Sequence, residues 1–189
     1  SGADFGGEGV DVRIQGWAQN QDITGGLNYR IVVDRVLLGT NGSDTLVGDG
    51  KSSFIDAKDG NDSVTGSALA EEIVGGAGDD TIDGGAGDDT LTDGAGRNIL
   101  RGGSGNDTFN LTGTATPIGV VTPTDTIDGG DGTDTLKIYS NTSFSGLSLS
   151  SVEILDGNGG WTNLSIDQAR QLGFTSAQNI TFRLDTSLA

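Results

Sequence analysis

The 189-residue chain contains no cysteine, no histidine and no methionine, and the first two absences narrow its possible chemistry. Without cysteine there is neither a disulfide framework nor a thiol nucleophile. Without histidine the chain lacks the side chain that most often acts as a general base near neutral pH. Paired carboxylates remain, but acids outside the repeat described below, such as Glu153 and Asp156, have no identifiable partner. We therefore expect that the chain is not an enzyme.

Positive charge is also scarce, because ten Lys and Arg residues stand against 27 Asp and Glu residues, for a net charge of -17. Such a surface disfavours nucleic acid and anionic membranes as partners. No apolar run approaches the length of a transmembrane helix, so direct membrane insertion is not expected. The crowded negative charge opposes compaction until cations neutralise it.

A nine-residue repeat occupies the middle of the chain. The nonapeptide GGAGDDTID at 75–83 is followed directly by GGAGDDTLT at 84–92, and tandem self-similarity at a short period indicates a repeat architecture. Stepping outward in nines gives registers that begin at Gly39, Gly48, Ala57, Gly66, Gly75, Gly84, Asp93, Gly102, Leu111, Val120 and Gly129. The period predicts eleven unbroken coils from residue 39 to residue 137.

The eighth position of the repeat is apolar in every register, in a chain that is only 33% hydrophobic. Its residues are Leu46, Ile55, Val64, Ile73, Ile82, Leu91, Leu100, Phe109, Ile118, Ile127 and Leu136. One inward side chain in each short strand is the pattern of a strand with a single buried face. These side chains are the predicted core.

The sixth position always carries an oxygen-bearing side chain. Its residues are Asp44, Ser53, Asp62, Glu71, Asp80, Asp89, Asn98, Asp107, Thr116, Asp125 and Asp134. Glycine recurs in phase with them, at Gly42, Gly60, Gly78, Gly87, Gly96, Gly105 and Gly132 in the fourth position, and at Gly76, Gly85 and Gly103 among others in the second. Glycines permit the positive φ angles that turn successive carbonyls inward. A hard cation that needs six to eight oxygens can combine those carbonyls with the carboxylates.

The pattern G-G-x-G-x-D-x-U-x in these registers resembles the RTX nonapeptide, a calcium-binding β-roll repeat. The resemblance implies an all-β-dominated parallel β-roll in which two nonapeptides make one turn. Loops two registers apart would then stack and share an ion, with about five or six Ca²⁺ ions in all. One column would hold Asp44, Asp62, Asp80, Asn98, Thr116 and Asp134, and the other Ser53, Glu71, Asp89, Asp107 and Asp125.

The best calcium sites are expected between successive sixth residues of one column. The expected pairs are Asp44 with Asp62, Asp62 with Asp80, Asp80 with Asn98, Glu71 with Asp89, and Asp89 with Asp107. The pattern is weakest at Ser53 and Thr116, where sites are expected to be lost. The glycines Gly42, Gly60, Gly76, Gly78, Gly85, Gly87, Gly103 and Gly105 are expected to shape the ligating loops.

The small core makes folding dependent on calcium. Eleven apolar side chains recover only part of the conformational entropy that ordering 99 repeat residues costs, so we expect a disordered repeat block without calcium. Such a block would stay unfolded in a calcium-poor cytosol and fold in a millimolar medium. The resemblance implies export by type I secretion and a place in the secreted or cell-surface fraction of a bacterium.

The flanks depart from the repeat. Residues 1–38 contain strand-like stretches at 10–17 and 27–38 and predict a β N-terminal cap. Residues 138–189 predict a mixed α+β capping or recognition subdomain with strand-like KIYS, LSLSSVEILD and NITFRL. A short helix is predicted from Ser165 to Leu172, ending at Gly173.

The stretch 111–124 keeps the nine-residue spacing but lacks the paired glycines and contains both prolines of the chain. Two interpretations remain open. Either it forms a regular coil with Ile118 in the core, or it bulges outward as a loop and Ile118 matches the period by accident.

The leading functional hypothesis is a calcium-dependent module of an RTX adhesin that binds a peptide or glycan on another surface. The flanks are longer than a spacer needs, and the ending LSLSSVEILDGNGGW is similar to those of RTX adhesins. Candidate ligand contacts are Tyr139, Asp156, Asn158, Trp161 and Arg183. The alternative is a structural block that aids secretion, folding or stiffening, or an accessory module of a polysaccharide-modifying enzyme. In the alternative, Trp161 would only pack the cap. In both hypotheses we expect a monomeric module within a larger chain.

Overall fold

The computed structural model describes residues 35–111, 125–138, 147–157, 161–162, 172–178 and 181–182, and these residues form strands and no helix. The strands are β1 (Arg35–Leu38), β2 (Thr45–Val47), β3 (Ser52–Asp56), β4 (Ser63–Ser67), β5 (Glu72–Ala77), β6 (Thr81–Ala86), β7 (Thr90–Ala95), β8 (Ile99–Ser104), β9 (Thr108–Leu111), β10 (Thr126–Asp131), β11 (Thr135–Ile138), β12 (Ser148–Ser150), β13 (Ile154–Asp156), β14 (Trp161–Thr162), β15 (Ser176–Gln178) and β16 (Thr181–Phe182).

The strands build a parallel β-solenoid with two facing sheets. One sheet has the order β1-β3-β5-β7-β9-β11-β13-β15 and the other β12-β10-β8-β6-β4-β2. Successive repeat strands therefore alternate between the sheets, and two nonapeptides make one turn. The pairing of Ile73 with Leu91, eighteen residues later, shows this register. The predicted fold class is confirmed.

The core is a column of eighth-position side chains between the two sheets. Strand β6 alternates between partly exposed and buried residues, with Ile82 fully buried. Alternation places one apolar side chain per strand inside and its neighbours outside. The buried set contains Leu46, Ile55, Val64, Ile73, Ile82, Leu91, Leu100, Phe109, Ile127 and Leu136. These ten members of the predicted core are confirmed.

One predicted coil does not join the stack. Strand β9 pairs directly with β11, so Phe109 lies beside Leu136, twenty-seven residues later. Strand β8 pairs in the same way with β10, which places Leu100 beside Ile127. The prediction of eleven unbroken coils is therefore wrong, and Ile118, on which two interpretations were open, lies outside the described residues.

The chemistry of the stretch 112–124, which lies outside the described residues, explains the skipped coil. It carries Pro117 and Pro123, and Pro123 occupies a fourth position. Proline fixes φ near −65°, whereas the fourth-position glycines that the structure describes in the neighbouring loops, such as Gly105 and Gly132, have positive φ. The direct pairing of β8 with β10 and of β9 with β11 thus spans nine residues more than a regular turn.

Replacing residues 112–124 by the four residues Gly-Ala-Gly-Asn should preserve the fold. The replacement removes nine residues and returns the spacing from Asn98 to Asp125, and from Asp107 to Asp134, to the regular eighteen. Closing the shorter connection also has a lower entropic cost, by about 0.6 kcal/mol for each halving of its length. We expect a thermal midpoint in calcium equal to or above that of the original chain. A chain that no longer folds in calcium would show that the segment supplies a rung after all.

Both sheets run past the predicted boundaries of the repeat block. Strand β1 pairs in parallel with β3, and β13 and β15 extend the larger sheet beyond β11. Leu155 and Phe174 are buried in the same core. Strands β14 and β16 form a separate two-stranded parallel sheet. The predicted strand at 10–17 and most of the predicted helix from Ser165 lie outside the described residues, and the division into three domains stays a prediction.

Candidate metal centres in the loop stacks

The loops that precede the strands of the smaller sheet form a first stack, defined by Asp44, Asp62, Asp80, Asn98 and Asp125. In each step the side-chain Oδ1 of one residue accepts the backbone N–H of the preceding member. The N···O distances are 2.7 Å for Asp44 to Asp62, 2.9 Å for Asp62 to Asp80, 2.9 Å for Asp80 to Asn98, and 2.6 Å for Asn98 to Asp125. The sixth-position side chains therefore form a continuous hydrogen-bond ladder.

The loops that precede the strands of the larger sheet form a second stack, defined by Glu71, Asp89, Asp107, Asp134 and Glu153. Its backbone-to-carboxylate distances are 2.8 Å for Glu71 to Asp89, 2.8 Å for Asp89 to Asp107, 2.7 Å for Asp107 to Asp134, and 2.9 Å for Asp134 to Glu153. Glu71 itself is bonded within its own loop, to the backbone N–H and the hydroxyl of Ser67.

The five predicted neighbour pairs are confirmed as neighbours, but the columns are wrong beyond the skipped coil. Asp125 belongs to the first stack and Asp134 to the second, because nine extra residues exchange the two sides of the solenoid. Thr116 lies outside the described residues, and Asn98 pairs directly with Asp125. Glu153 was not predicted as a ladder member. Its sequence signal is an acid directly before a strand, nineteen residues after Asp134.

The ladder leaves one atom of most buried sixth-position side chains without a hydrogen bond. Asp80, Asp89 and Asp107 are each 1% exposed, so their side chains are shielded from bulk water. The buried atoms without a partner are Oδ2 of Asp62, Asp80, Asp89, Asp107 and Asp134, and Nδ2 of Asn98. An unpaired buried charge is costly, and these oxygens are therefore suited to bind a cation.

The fourth-position glycines bring backbone carbonyls close to the same loops. Gly78 has a φ of 139°, and a Cβ atom built on it would collide with the carbonyl oxygen of Gly60 in the loop below. Positive φ is also found at the other predicted glycines Gly60, Gly76, Gly85, Gly87, Gly103 and Gly105, whereas Gly42 is not among the positive-φ residues. The loops are thus packed backbone to backbone, with main-chain oxygens between them.

The electrostatics of the stacks favour protonation or cation binding. Burial, followed by the negative charges of Glu71 and Asp107, raises the pKa of Asp89 to about 7, although the N–H of Glu71 opposes the shift. Burial also raises the pKa of Asp125 to about 6 and raises the pKa values of Asp80, Asp107 and Asp134. At the open end of the first stack, hydrogen bonds from the backbone and hydroxyl of Thr40 lower the pKa of Asp44.

Acidification should stabilise the calcium-free fold and weaken calcium binding. The folded-state pKa of Asp89 is raised from 3.8 to about 7, so its contribution is fully present below pH 3.8 and is lost as the pH rises through 7. Circular dichroism in chelator should show more β-structure at pH 5 than at pH 8. Because protons compete for the same carboxylate, calcium affinity at the Asp89 site should fall about tenfold from pH 8 to pH 6.

The variant Asp89→Asn is the matched control, since the amide cannot titrate. Its pH dependence should be weaker in both measurements. A chelated wild-type chain that is as unfolded at pH 5 as at pH 8 would contradict this account.

The donor atoms fit a hard divalent cation. In the described part of the chain no three acidic side chains converge, so a site would combine one or two carboxylates with backbone carbonyls. Calcium accepts such all-oxygen sets in flexible geometry, whereas magnesium demands a stricter octahedron. The chain lacks the Cys and His ligands that softer metals prefer.

A family model of the RTX calcium-binding nonapeptide repeat matches the chain in four copies, at residues 38–69, 65–92, 74–109 and 124–136. The chain carries RTX calcium-binding repeats. The matched copies leave out residues 110–123, which lie between the directly paired strands β9 and β11 except for the last two residues of β9. RTX repeats bind calcium in a structural, non-catalytic fold and are typical of secreted bacterial proteins. No curated protein and no solved structure matches the chain.

The predicted ligand contacts are not brought together by the described residues. Asp156 lies in β13, between Lys137 of β11 and Gln178 of β15, and Trp161 begins β14. Tyr139, Asn158 and Arg183 lie outside the described residues. No helix in the described ranges is long and apolar enough to cross a membrane.

An exposed second ladder at the fifth position was not predicted. The Oδ1 atom of Asn61 accepts the N–H of Asp79 at 3.0 Å, and Oδ1 of Asp79 accepts the N–H of Arg97 at 2.8 Å. In the other stack, Asp88 accepts from Asn106 at 2.8 Å. These side chains reach toward the next loop of the stack, opposite to the sixth-position side chains. The sequence signal was the Asn and Asp residues at the fifth position.

Proposed function

We propose that the chain is a calcium-dependent folding module of a secreted protein, in which Ca²⁺ ions between successive loops hold the solenoid together. The observation that carries the proposal is the set of buried Oδ2 atoms of Asp62, Asp80, Asp89, Asp107 and Asp134, which have no hydrogen-bond partner. Divalent cations would neutralise these charges. The same carboxylates are oriented by the backbone N–H groups that bind their Oδ1 atoms.

Calcium supplies positive charge to a site that the chain cannot neutralise itself. The protein's part is to orient the carboxylates through the ladder, to deliver carbonyls through the glycine loops, and to exclude water by stacking one loop on the next. A cation that binds only the folded state stabilises it by roughly 2.7 kcal/mol at 100 times its dissociation constant. Several such ions would decide whether a solenoid with so narrow a core folds.

The dependence of folding on calcium binding supports secretion in an unfolded state. The chain would remain loose in a calcium-poor cytosol and would fold after export into a medium with millimolar calcium. The acidic charge of this chain, -17 in 189 residues, supports the same order of events. In the secreted protein the folded module would act as a stiff block.

The proposal is tested by far-UV circular dichroism and size-exclusion chromatography of the whole chain in calcium, magnesium and chelator. Millimolar calcium should produce a β-sheet spectrum and a compact elution volume, whereas chelator should give an expanded chain. Magnesium at the same concentration should be much less effective, because it fits carbonyl-rich sites poorly. A chain equally folded in chelator would refute calcium-dependent folding.

Ligand recognition is a second candidate function. The sheet of β14 and β16 lies outside the two solenoid sheets, and Trp161 begins it. An element of this kind exceeds what a spacer needs and supports a binding role for the C-terminal residues. The ligand would be a peptide or a glycan on another surface, held with the help of calcium.

A peptide and glycan array probed with the labelled chain in calcium tests this second function. Hits that vanish in chelator and in the variant Trp161→Ala, while circular dichroism shows that the variant still folds, would support recognition. A blank array with a calcium-folded chain would leave only the structural function.

A further inference from the structure

The second position separates two kinds of loop in the stacks. Five described loops have a residue with a positive φ there, between 76° and 110°, namely Lys58, Gly76, Gly85, Gly103 and Gly130. The sixth residues of these loops are the aspartates whose Oδ2 atom is buried without a hydrogen-bond partner, namely Asp62, Asp80, Asp89, Asp107 and Asp134. Loops 39–44 and 66–71 have Thr40 and Ser67 at the second position, and neither residue is among those with positive φ.

In loop 39–44, Thr40 holds the carboxylate of the sixth residue. The N–H of Thr40 donates to Oδ2 of Asp44 at 2.6 Å, and the hydroxyl of Thr40 donates to the same oxygen at 2.9 Å. Oγ1 of Thr40 in turn accepts the N–H of Gly42 at 3.2 Å. Since a carboxylate oxygen has two lone pairs, the two donors of Thr40 satisfy the atom that has no partner in the five other loops.

Loop 66–71 repeats this arrangement in the other stack. The N–H of Ser67 donates to Oε2 of Glu71 at 3.3 Å, and its hydroxyl donates to Oε1. Oγ of Ser67 accepts the N–H of Leu69 at 3.1 Å. Glu71 is only 3% exposed, so this buried carboxylate is satisfied by the second residue of its own loop. The same three hydrogen bonds, at the same positions of two loops, identify the second residue as their common cause.

These hydrogen bonds compete with a metal ion. A cation that approached Oδ2 of Asp44 would have to displace both donors of Thr40, and the positive ends of the N–H and O–H dipoles already face this oxygen. A cation that approaches Oδ2 of Asp80 displaces no hydrogen bond. Glycine has no hydroxyl to donate, so the loops with glycine at the second position cannot satisfy their acid in this way.

We propose that Thr40 and Ser67 take the place of calcium in their loops, so that Asp44 and Glu71 hold no ion. Each stack then begins with a loop that is closed by its own hydrogen bonds, and the second residue determines which loops bind calcium. The inference departs from the repeat pattern, which counts both acids as ligands. It rests on the proposed function, since it presumes that the other loops bind calcium.

Removal of single carboxylates tests the inference through the number of ions that the full chain binds, measured by equilibrium dialysis against calcium alone. Asp44→Asn and Glu71→Gln should leave the number unchanged. Asp80→Asn is the matched comparison from a loop with an unpaired Oδ2. It should bind one ion fewer, or bind one ion at least tenfold more weakly.

The variant Thr40→Gly tests the second residue itself. Residues 39–44 would then read GGNGSD, which matches the repeat at every fixed position of the loop. The variant should bind one calcium ion more than the original chain, because Oδ2 of Asp44 loses both donors. Thr40→Ser is the matched control, since serine keeps the N–H and the hydroxyl, and its number of ions should be unchanged.

The outcomes separate this inference from the proposed function. An ion lost in Asp44→Asn, or an unchanged number in Thr40→Gly, would overturn the inference while the calcium module stands. If Glu71→Gln does not fold, because its side chain is buried, the two variants of loop 39–44 still decide. A wild-type chain that takes up no calcium would overturn the proposed function, and this inference with it.

Discussion

Asp89→Asn should stabilise the calcium-free chain and destabilise the calcium-loaded chain. The amide can still accept the N–H of Glu71 through Oδ1, a bond that Asp89 makes at 2.8 Å, and Asn98 shows that an amide fits this position of a stack. Without calcium the change removes a buried charge that lies near Glu71 and Asp107. With calcium it removes a ligand, at a cost of roughly 3 kcal/mol, the contribution of one ion well above its dissociation constant.

Thermal unfolding of both chains in saturating calcium measures the second effect, and the β-sheet signal of both chains in chelator, by circular dichroism, measures the first. The adjacent residue supplies the control, because Asp88 is exposed and its Oδ1 accepts a backbone N–H in a similar way. Asp88→Asn should change the free energy of unfolding in calcium by less than about 0.5 kcal/mol and leave the spectrum in chelator unchanged. If Asp89→Asn leaves stability in calcium unchanged, or lowers the β-sheet signal in chelator, the side chain does not act as the buried calcium ligand described here.

Gly78→Ala should prevent two successive loops from stacking. Its φ of 139° is strained for any residue with a Cβ atom, and that atom would collide with the carbonyl oxygen of Gly60. Because the collision is with backbone, a side-chain rotation cannot relieve it. We expect a loss of roughly 2–5 kcal/mol of stability in calcium and weaker binding of the ions next to Asp80.

Gly50→Ala separates strain from collision. Gly50 also has a positive φ, of 70°, but no atom lies within 4 Å of a Cβ built on it. The substitution should cost roughly 1–2 kcal/mol and leave the calcium affinity unchanged. Calcium titrations followed by circular dichroism compare the two variants. Equal losses would mean that close packing of the loops contributes nothing beyond backbone strain.

The core and the pairing of strands could be predicted from the sequence because both follow from local repetition. An apolar residue such as Ile82 or Leu91 once in every nine residues fixes which side of a short strand is buried. The resemblance to the RTX repeat added that two nonapeptides make a turn. Together they predicted the register in which Ile73 lies beside Leu91.

The nine-residue spacing alone could not show that one nonapeptide is left out of the strand stack. Ile118 satisfies the apolar rule, and Asp125 and Asp134 stay in phase with the repeat on either side of it. Whether nine residues form a rung depends on whether their backbone can stack, and the two prolines and the missing glycine pairs were the only indication. The assignment of Asp125 and Asp134 to the wrong stacks followed from that single uncertainty.

The orientation of the carboxylates was also beyond the sequence. The repeat shows that Asp80 belongs to a loop, but not that its Oδ1 accepts the N–H of Asp62 while Oδ2 remains buried without a partner. Glu153 joins the second stack at a spacing of nineteen residues, which a strict nine-residue search excludes. These contacts depend on neighbouring turns and therefore require the folded structure.

Hydrogen exchange of the backbone amides of Asp62, Asp80, Glu71 and Asp89, measured with and without calcium, tests the central claim most directly. Each of these N–H groups donates to the carboxylate or amide oxygen of the next loop in its stack. If calcium holds the stacks together, the four amides will be strongly protected in calcium and will exchange at nearly the rate of an unfolded chain in chelator. Equal protection in the two conditions would show that the solenoid stands without the metal.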